Sequence, residues 1–492
     1  MTSPVQQNPN GVLATGVPAD SVEQCRDDML QTFEAKTQSL ADNTNYYQAV
    51  RRPDAIGLAI PEKMRDLLAH VGYPRLYVDS IAERQELEGF RLGNADQADD
   101  DLWDWWQAND LDVESVLGHT DALVHGRSYI TIAAPDPVLD IGVDPAVPII
   151  RVEPPTNLYA QIDPRTKQVV QAIRAVYDDE GSQVIAATLY LPLQTIAWVK
   201  QNGDWVVLQQ IPHNLGIVPV VPITNRISLS DLYGTSQITP EVRSVTDAAA
   251  RILMDMQGAA ELMAIPQRLL FGVNPSDIGV DPETGESKYD AYMARIMAFA
   301  DPEGKAFQFA AAELRNFGDA LDQLDRKAAS YMGLPPQYLS VTSDNPASAE
   351  AIESMEARLV KLCERKNLLF GGAWEQAMRI AYMVMNGGLA SLPPEMLRME
   401  SIWRDPSTPT YASKADAATK LYAGGLGVIP KKRARFDMGY SIVEVEEMEQ
   451  WDTEESPALQ LAGMYGTGAQ TPAGDSTSAA QPTETKSESP PT

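Results

Sequence analysis

Three long helical patterns in the second half of the chain constrain its fold more than any other feature of the sequence. The first covers 239–264. Thr239 is suited to cap this helix, Pro240 to occupy its first position and Pro266 to end it. At 1.5 Å per residue the helix would extend about 37 Å, roughly twice the mean for globular proteins. Its charged residues exclude a membrane span, so the pattern predicts a long helix packed against protein.

The second pattern covers 310–332, where apolar residues recur at alternating steps of three and four. Gly333 and the prolines after it are expected to end this helix. The insert between the first two helices, 265–309, is predicted to contain short strands and one helix with the sequence YDAYMARIMAF. We expect this insert to project from the helix pair.

The third pattern covers 348–387 and begins at Ser348, a good N-cap residue. As one rod it would reach some 57 Å, and the adjacent Gly371 and Gly372 predict a kink in it. The loop before it, SVTSDNPA, is polar and contains neither Lys nor Arg. From its residues alone, this loop is either a surface that brushes against DNA or a helix-capping linker.

Residues 127–225 change to short runs rich in β-branched and aromatic residues, such as SYITIAA, VIAATLYL and WVVLQQI. The Asn-Gly pair in QNGDW predicts a tight hairpin, because both positions tolerate positive φ. Upstream, helical patterns dominate, from a first helix capped by Asp20 or Ser21 to a last one that ends at Gly126. The predicted fold class is therefore α+β and predominantly helical.

The net charge of the chain restricts how it can interact with nucleic acid. Its 492 residues carry a formal net charge of −29, which argues against a protein that grips DNA by neutralising many phosphates. The same charge suits a wall along which DNA slides, since acidic groups repel phosphate. The sequence lacks both a long apolar run and a signal peptide, so a soluble, non-secreted protein is predicted.

Both ends have the composition of unstructured chain. Residues 1–20 are rich in Pro, Gly and Asn, and residues 453–492 in Ser, Thr, Pro, Ala and Gly, so a flexible N-terminus and a disordered tail are predicted. Between the third helix and the tail, short helices are expected around KKRARFDMG. Cys25 and Cys363 are too few and too far apart in sequence for a disulfide framework.

The sequence contains no catalytic motif that indicates an enzyme. The fragment PEGKA lacks the upstream glycine and the Ser/Thr of a phosphate-binding loop. His119 and His125 are six residues apart and therefore point about 120° away from each other on a helix, which argues against a shared metal site. We predict a non-enzymatic protein without cofactor or metal.

Seven stretches, read in order, resemble the portal proteins of long-tailed bacteriophages. The stretches are VDSIAERQELEGFR (78–91), HGRSYI (125–130), VPVVPITNR (218–226), LYGTSQI (232–238), DMQGAAELMAIPQRLLFG (255–272), MGLPPQYL (332–339) and NPASAEAIESMEARLVKLCERKNLLFGGAWEQAMRIA (345–381). Their ordered combination is specific, although no single stretch would be.

This resemblance implies a portal fold assembled as a ring, commonly of twelve subunits, around a central tunnel. The implied regions are a wing (20–238), stem helices (239–264 and 310–332), a clip (265–309), a tunnel loop (340–347), a long kinked helix (348–387) and a crown (388–452). Without the resemblance, the same helices would be read as ordinary core helices of a monomer.

The resemblance also implies function and partners. It predicts a ring-shaped channel at one capsid vertex of the virion for packaging and ejection of double-stranded DNA, assembled in the host cytoplasm. The implied partners are further copies of the chain, the terminase large subunit, a head-tail adaptor, and the major capsid and scaffolding proteins, with no membrane. Two alternatives remain: a terminase or nuclease subunit of the packaging machinery, and another virion protein of the capsid or tail.

Three groups of candidate site residues follow. Gly371 and Gly372 are the predicted hinge of the long helix. A basic run is either a crown contact with DNA or a solvated helix end, and it comprises Lys431, Lys432, Arg433 and Arg435. The DNA-facing tunnel loop implied by the resemblance comprises Ser340, Val341, Thr342, Ser343, Asp344, Asn345, Pro346 and Ala347.

Overall fold

The structure is a computed structural model that describes most of the chain. The described residues are 19–51, 70–93, 98–136, 140–178, 180–264, 268–271, 296–299, 315–339, 349–388, 392–407, 411–440, 444–445 and 447–452. The chain divides into two compact units, with the boundary between residues 407 and 408.

More of the described residues lie in helices than in strands, as the predicted α+β class requires. The helices of the first unit are α1 (Ala19–Thr37), α2 (Ala41–Tyr47), α3 (Tyr73–Ala82), α4 (Asp100–Ala108), α5 (Leu111–His125), α6 (Pro240–Ala264), α7 (Arg315–Met332) and α8 (Ala349–Met385). The second unit contains α9 (Tyr411–Tyr422) and α10 (Lys431–Met438). None of the helices in the described ranges is both long and apolar enough to cross a bilayer.

All described strands belong to the first unit. They are β1 (Leu87–Arg91), β2 (Arg127–Ala133), β3 (Ile149–Glu153), β4 (Leu158–Ile162), β5 (Val169–Tyr177), β6 (Val184–Tyr190), β7 (Gln194–Gln201), β8 (Asp204–Pro212), β9 (Val220–Thr224), β10 (Arg268–Phe271), β11 (Ile296–Phe299) and β12 (Glu400–Trp403).

The predicted β-rich part forms two antiparallel sheets. One is a five-stranded meander in the order β4-β5-β6-β7-β8, and α1 covers one of its faces through apolar side chains that include Phe33. The other has the order β3-β2-β9. The hairpin between β7 and β8 turns at Asn202 and Gly203, whose φ angles are 54° and 96°. Both values are positive, which confirms the predicted turn.

A close backbone contact joins α5 to the chain that precedes α6. Gly126 ends α5 with a φ of 91°, as its position in the sequence predicts. A Cβ atom on Gly234 would lie 1.8 Å from the carbonyl oxygen of Gly126, so only glycine fits at this position. The backbone N–H of Asn225 donates a hydrogen bond to the same oxygen over 2.8 Å.

The long helix α8 lies in the largest apolar core and packs on β2 and β9. Phe370 and Trp374 are fully buried. The Trp374 indole donates a hydrogen bond of 2.9 Å to Nε2 of His119 on α5, and its ring lies 4.8 Å from that of Trp106 on α4. The second half of α8 is therefore a core helix whose aromatic side chains join it to α4 and α5.

The stem candidates α6 and α7 pack against each other but are buried unequally. The first half of α6 buries Val242, Val245 and Ala249, whereas on α7 only Ala328, Ala329 and Met332, all near its C-terminal end, are buried. The predicted start of α6 at Pro240, after Thr239, is confirmed. For the second helix, the structure describes residues only from Arg315 onward.

One strand contradicts the sequence prediction, and one strand pair was not predicted. Residues 296–299 were expected in the helix YDAYMARIMAF, but they form β11, which pairs in parallel with β10. The prediction was wrong there because a short apolar run suits either structure, and a partner strand far away in sequence provides the backbone hydrogen bonds. The antiparallel pair of β1 and β12 joins residues more than 300 positions apart, and no local pattern indicates it.

The buried His119 predicts how stability depends on pH. Burial lowers its pKa to about 3, from an ordinary value near 6.5. The unfolded state therefore binds more protons below pH 6.5, and stability falls as the pH drops through that range. His119→Gln retains an acceptor for the Trp374 indole but does not titrate. Between about pH 7.5 and about pH 5, we expect the free energy of unfolding of the variant to fall by about 2 kcal/mol less than that of the wild type.

Urea unfolding at several pH values measures this difference. His70→Gln, at an exposed histidine, is the matched control and should leave the wild-type pH profile unchanged. Parallel profiles for His119→Gln and the wild type would contradict a neutral, buried His119.

Candidate functional site

The predicted DNA-facing loop, 340–347, lies outside the described residues, but both chain segments that flank it are described. Tyr338 lies just before the loop, and its hydroxyl donates a hydrogen bond of 2.6 Å to Glu356 on α8, beyond the loop. Arg84 donates to the Tyr338 hydroxyl over 2.8 Å and lies 3.4 Å from the Glu356 carboxylate. These three side chains connect the two flanks of the loop.

The Arg84–Glu356 ion pair is shielded from water, because its side chains are only 12% and 10% exposed. Such a pair is screened less by salt than a surface pair. Arg84 also donates to the carbonyl oxygen of Pro406, so one guanidinium bridges three parts of the chain. Burial, and then the hydrogen bond to Glu356, raise the pKa of Tyr338. The hydroxyl therefore keeps the proton that it donates to Glu356.

A second buried polar group lies almost three turns further along α8. The ammonium of Lys366, which is only 4% exposed, donates a hydrogen bond to Oδ1 of Asn225. The side-chain Nδ2 of Asn225 donates in turn to the Thr235 carbonyl oxygen and to Gln237, and the Gln237 side chain donates to the Tyr77 hydroxyl over 2.6 Å. This chain of hydrogen bonds positions α8 against the segment between β9 and α6.

The contacts of Lys366 indicate a structural role and not a catalytic one. Burial, and then the nearby Arg365 charge, lower the pKa of Lys366 to about 8. A lysine with a lowered pKa can act as a nucleophile, but the atom in contact with its ammonium is an amide oxygen. Burial likewise raises the pKa of Cys25 and of Cys363 to about 11, which leaves both thiols protonated and weakly nucleophilic near neutral pH.

The two histidines have different surroundings in the structure. His119 accepts the Trp374 hydrogen bond in the core, and burial followed by the Arg127 charge lowers the pKa of His125 to about 4. Across the ranges that the structure describes, no group of three or more His, Cys, Asp or Glu side chains could hold a metal ion.

The hinge candidates Gly371 and Gly372 lie in different surroundings, although α8 continues as a helix through both. A Cβ on Gly371 would lie 2.3 Å from Oγ of Ser401 and 3.0 Å from Nε1 of Trp403, both on β12. A Cβ on Gly372 would meet no atom within 4 Å. Gly371 thus allows β12 to approach α8 closely, whereas a role of Gly372 in a hinge stays a prediction.

The basic run on α10 is locally neutralised. Each of its four side chains forms an ion pair with an acidic residue of the second unit, at N–O distances of 2.5 to 3.2 Å. The pairs are Lys431–Asp452, Lys432–Glu449, Arg433–Asp437 and Arg435–Asp452. This arrangement favours a solvated helix end over a surface that is free to attract phosphate, and contact with DNA stays a prediction.

Sequence reasoning missed the buried polar groups on α8. Arg84, Tyr338 and Glu356 fall within the stretches that carry the family resemblance, but nothing local distinguishes them from solvated residues. The same holds for Lys366, because a lysine in a helical pattern is ordinarily exposed.

The two glycines of α8 can be separated by experiment. Gly371→Ala should destabilise the protein by about 1–3 kcal/mol, because the added methyl group overlaps Ser401. Gly372→Ala adds a methyl group in open space and should stabilise the helix by up to about 1 kcal/mol. Denaturant unfolding checks both values.

Gly372→Ala therefore tests the hinge without adding a steric clash. If bending at this position is needed for the DNA packaging that the resemblance implies, the variant folds normally but particles that contain it hold less DNA. Normal DNA filling in those particles would contradict the hinge.

The chain matches the family model described as "Phage portal protein, SPP1 Gp6-like" over residues 28–460. It is 64% identical over 442 residues to the portal protein of Mycobacterium phage L5 and 65% identical over 442 residues to that of Mycobacterium phage D29. Each alignment covers 90% of this chain and 90% of the relative.

Among solved structures, the chain is similar to a subunit in the neck of an empty GTA particle, with a TM-score of 0.36 and 15% identity. That match covers 79% of this chain and 96% of the other. A subunit in the neck of the native GTA particle matches with a TM-score of 0.30 and 14% identity, over 75% and 89% of the two chains. Because it matches the family model over most of its length and is 64% and 65% identical to two mycobacteriophage portal proteins, the chain belongs to the SPP1 Gp6-like family of phage portal proteins.

Proposed function

We propose that this protein forms a closed ring at one vertex of a phage capsid, and that double-stranded DNA enters and leaves the capsid through the ring. The observation that carries the proposal is the family match over residues 28–460, which includes α6, α7, the loop between α7 and α8, and α8 itself. In a closed ring each subunit presents one surface to a different surface of its neighbour. The number of subunits we expect is twelve.

In the proposed ring, residues 20–238 are the wing, α6 and α7 the stem, residues 265–309 the clip, and 340–347 the tunnel loop. The stem assignment is supported by the first turns of α7, whose described side chains are exposed or only partly buried within the subunit. They are therefore available to a neighbouring copy. The long helix α8 carries the tunnel loop at its N-terminal end.

The proposed crown follows α8. The sequence places its start at residue 388, but β12 pairs with β1 inside the first unit. We therefore place the crown at 408–452, in the second compact unit.

The proposed mechanism is geometric and requires no catalysis. A net charge of −29 makes long-range attraction to phosphate weak, so DNA is guided by the shape of the channel and not by tight binding. The loop 340–347 contains one acidic residue, Asp344, and no cation, which suits transient contact with a moving duplex. The Arg84–Tyr338–Glu356 contact would hold the base of this loop while the loop itself responds to DNA.

The proposed partners follow from this position. We propose that the clip docks the terminase large subunit during packaging and later binds a head-tail adaptor, and that the outer surface meets the major capsid and scaffolding proteins. The protein would assemble in the host cytoplasm and remain in the virion.

Mass measurement of the purified assembly, together with electron microscopy, tests the proposal. We expect discrete closed rings with an open axial channel wide enough for a duplex, and no hydrolysis of nucleotide or DNA. A compact monomer would contradict the ring. Shells or tubes would favour another virion protein, and nucleotide hydrolysis would favour a packaging enzyme.

Removal of residues 460–492 should leave ring formation intact. This segment has the composition of chain that cannot bury a core, and the family match ends at residue 460. Native mass spectrometry of the truncated and full-length proteins should give the same subunit number. Loss of rings on truncation would show that the tail takes part in assembly.

A further inference from the structure

The N-terminal half of α8 carries a basic stripe on its outward side. The stripe consists of Arg358, Lys361 and Arg365, followed by the apolar Leu368. At 100° per residue these four positions fall within a sector of about 80°. The Lys361 side chain is 81% exposed and Leu368 is 82% exposed. Within the described residues, Lys361 pairs with Glu364, and Arg358 and Arg365 make no ion pair.

A patch that combines acidic and exposed apolar side chains, and so complements the basic stripe, lies at the start of α5. It consists of Asp110, Val113, Glu114 and Leu117. Val113 and Leu117 are 63% and 59% exposed, which is unusual for two apolar side chains one turn apart on a helix. The surrounding segment 98–118 contains seven acidic residues and no Lys or Arg.

The two surfaces point away from each other. On α8, the centre of the basic stripe lies about 160° around the helix from Trp374. On α5, the side chains of Val113, Glu114 and Leu117 centre about 170° from His119. The hydrogen bond between Trp374 and His119 joins the inner sides of the two helices, so the stripe and the patch face outward on opposite sides of this pair.

We propose that the basic stripe of one subunit docks on the acidic patch of the next subunit. The inference rests on the proposed ring and names a contact that closes it. A head-to-tail ring needs two different, complementary surfaces on every subunit. Here both surfaces lie on one chain, have opposite charge, face opposite ways and contain exposed apolar side chains. Because each copy carries a net charge of −29, neighbours repel unless local contacts such as this one offset the repulsion.

Charge reversal on each side provides the test. The stripe variant is Lys361→Glu/Arg365→Glu, and the patch variant is Asp110→Asn/Glu114→Lys. Asp110 has a φ of 55°, which Asn also adopts readily, so the patch variant preserves the start of α5. Arg165→Glu/Lys167→Glu, in the exposed turn between β4 and β5, is the control for the stripe variant because it changes the net charge equally.

Alone, each variant should form rings at least about tenfold less efficiently than the wild type, because like charges then meet at every contact. Mixed in equal amounts, the two variants should restore rings in which they alternate, since every contact then joins opposite charges. Native mass spectrometry identifies such rings by their equal content of the two chains. The control variant should form rings as the wild type does.

Three results would overturn the contact. They are rings from either variant alone at wild-type yield, no rings from the mixture, and rings from the stripe variant that have lost only their retention of DNA. The last would assign the stripe to nucleic acid. Thermal unfolding verifies that each variant is folded. If the stripe variant does not fold, Lys361→Gln/Arg365→Gln replaces it, and unchanged ring yield with that variant overturns the contact.

The wild-type protein separates this inference from the proposed function. Absence of wild-type rings overturns both, whereas wild-type rings that are indifferent to all of these substitutions overturn the contact alone.

Discussion

The burial of the second half of α8 is the constraint on which the rest of the first unit depends. Trp374 lies fully buried between α4 and α5, with its ring against Trp106 and its N–H group bonded to His119. A buried indole N–H needs an acceptor, and the neutral imidazole provides one. Through this contact α8 lies across β2 and β9 in the largest apolar core, whereas α1 and the five-stranded sheet share a core of their own.

The first half of α8 is connected by polar contacts that are as specific as the aromatic ones. Glu356 reaches Tyr338 and Arg84, and Lys366 reaches Asn225. Each of these groups would be costly to bury alone, so the hydrogen bonds determine the position of the helix as well as stabilise it. In the proposed ring, a helix held in this way would keep the base of the loop 340–347 in the same position in every copy.

What the fold leaves exposed is informative about assembly. The first turns of α7 are exposed or only partly buried within the subunit, and the outer side of α8 and the start of α5 are exposed. On the last two, charge and apolar side chains occur together, and the charges have opposite sign. By contrast, the cations of α10 are already paired with acids nearby. On the α8 stripe only Lys361 forms such a pair within the described residues, so the two basic clusters differ in how many of their charges are already neutralised.

Features that depend on neighbouring residues could be predicted from the sequence alone. Thr239 and Pro240 mark the start of α6, Asn202 and Gly203 the tight hairpin, and Gly126 the end of α5, because caps and turns are set by local backbone geometry. Four other features could be seen only in the folded chain: the pairing of β1 with β12, the strand β11 in place of a helix, the burial of Lys366 and the close approach at Gly371. Each of these depends on a partner far away in sequence, and the energy of such contacts has no local signature.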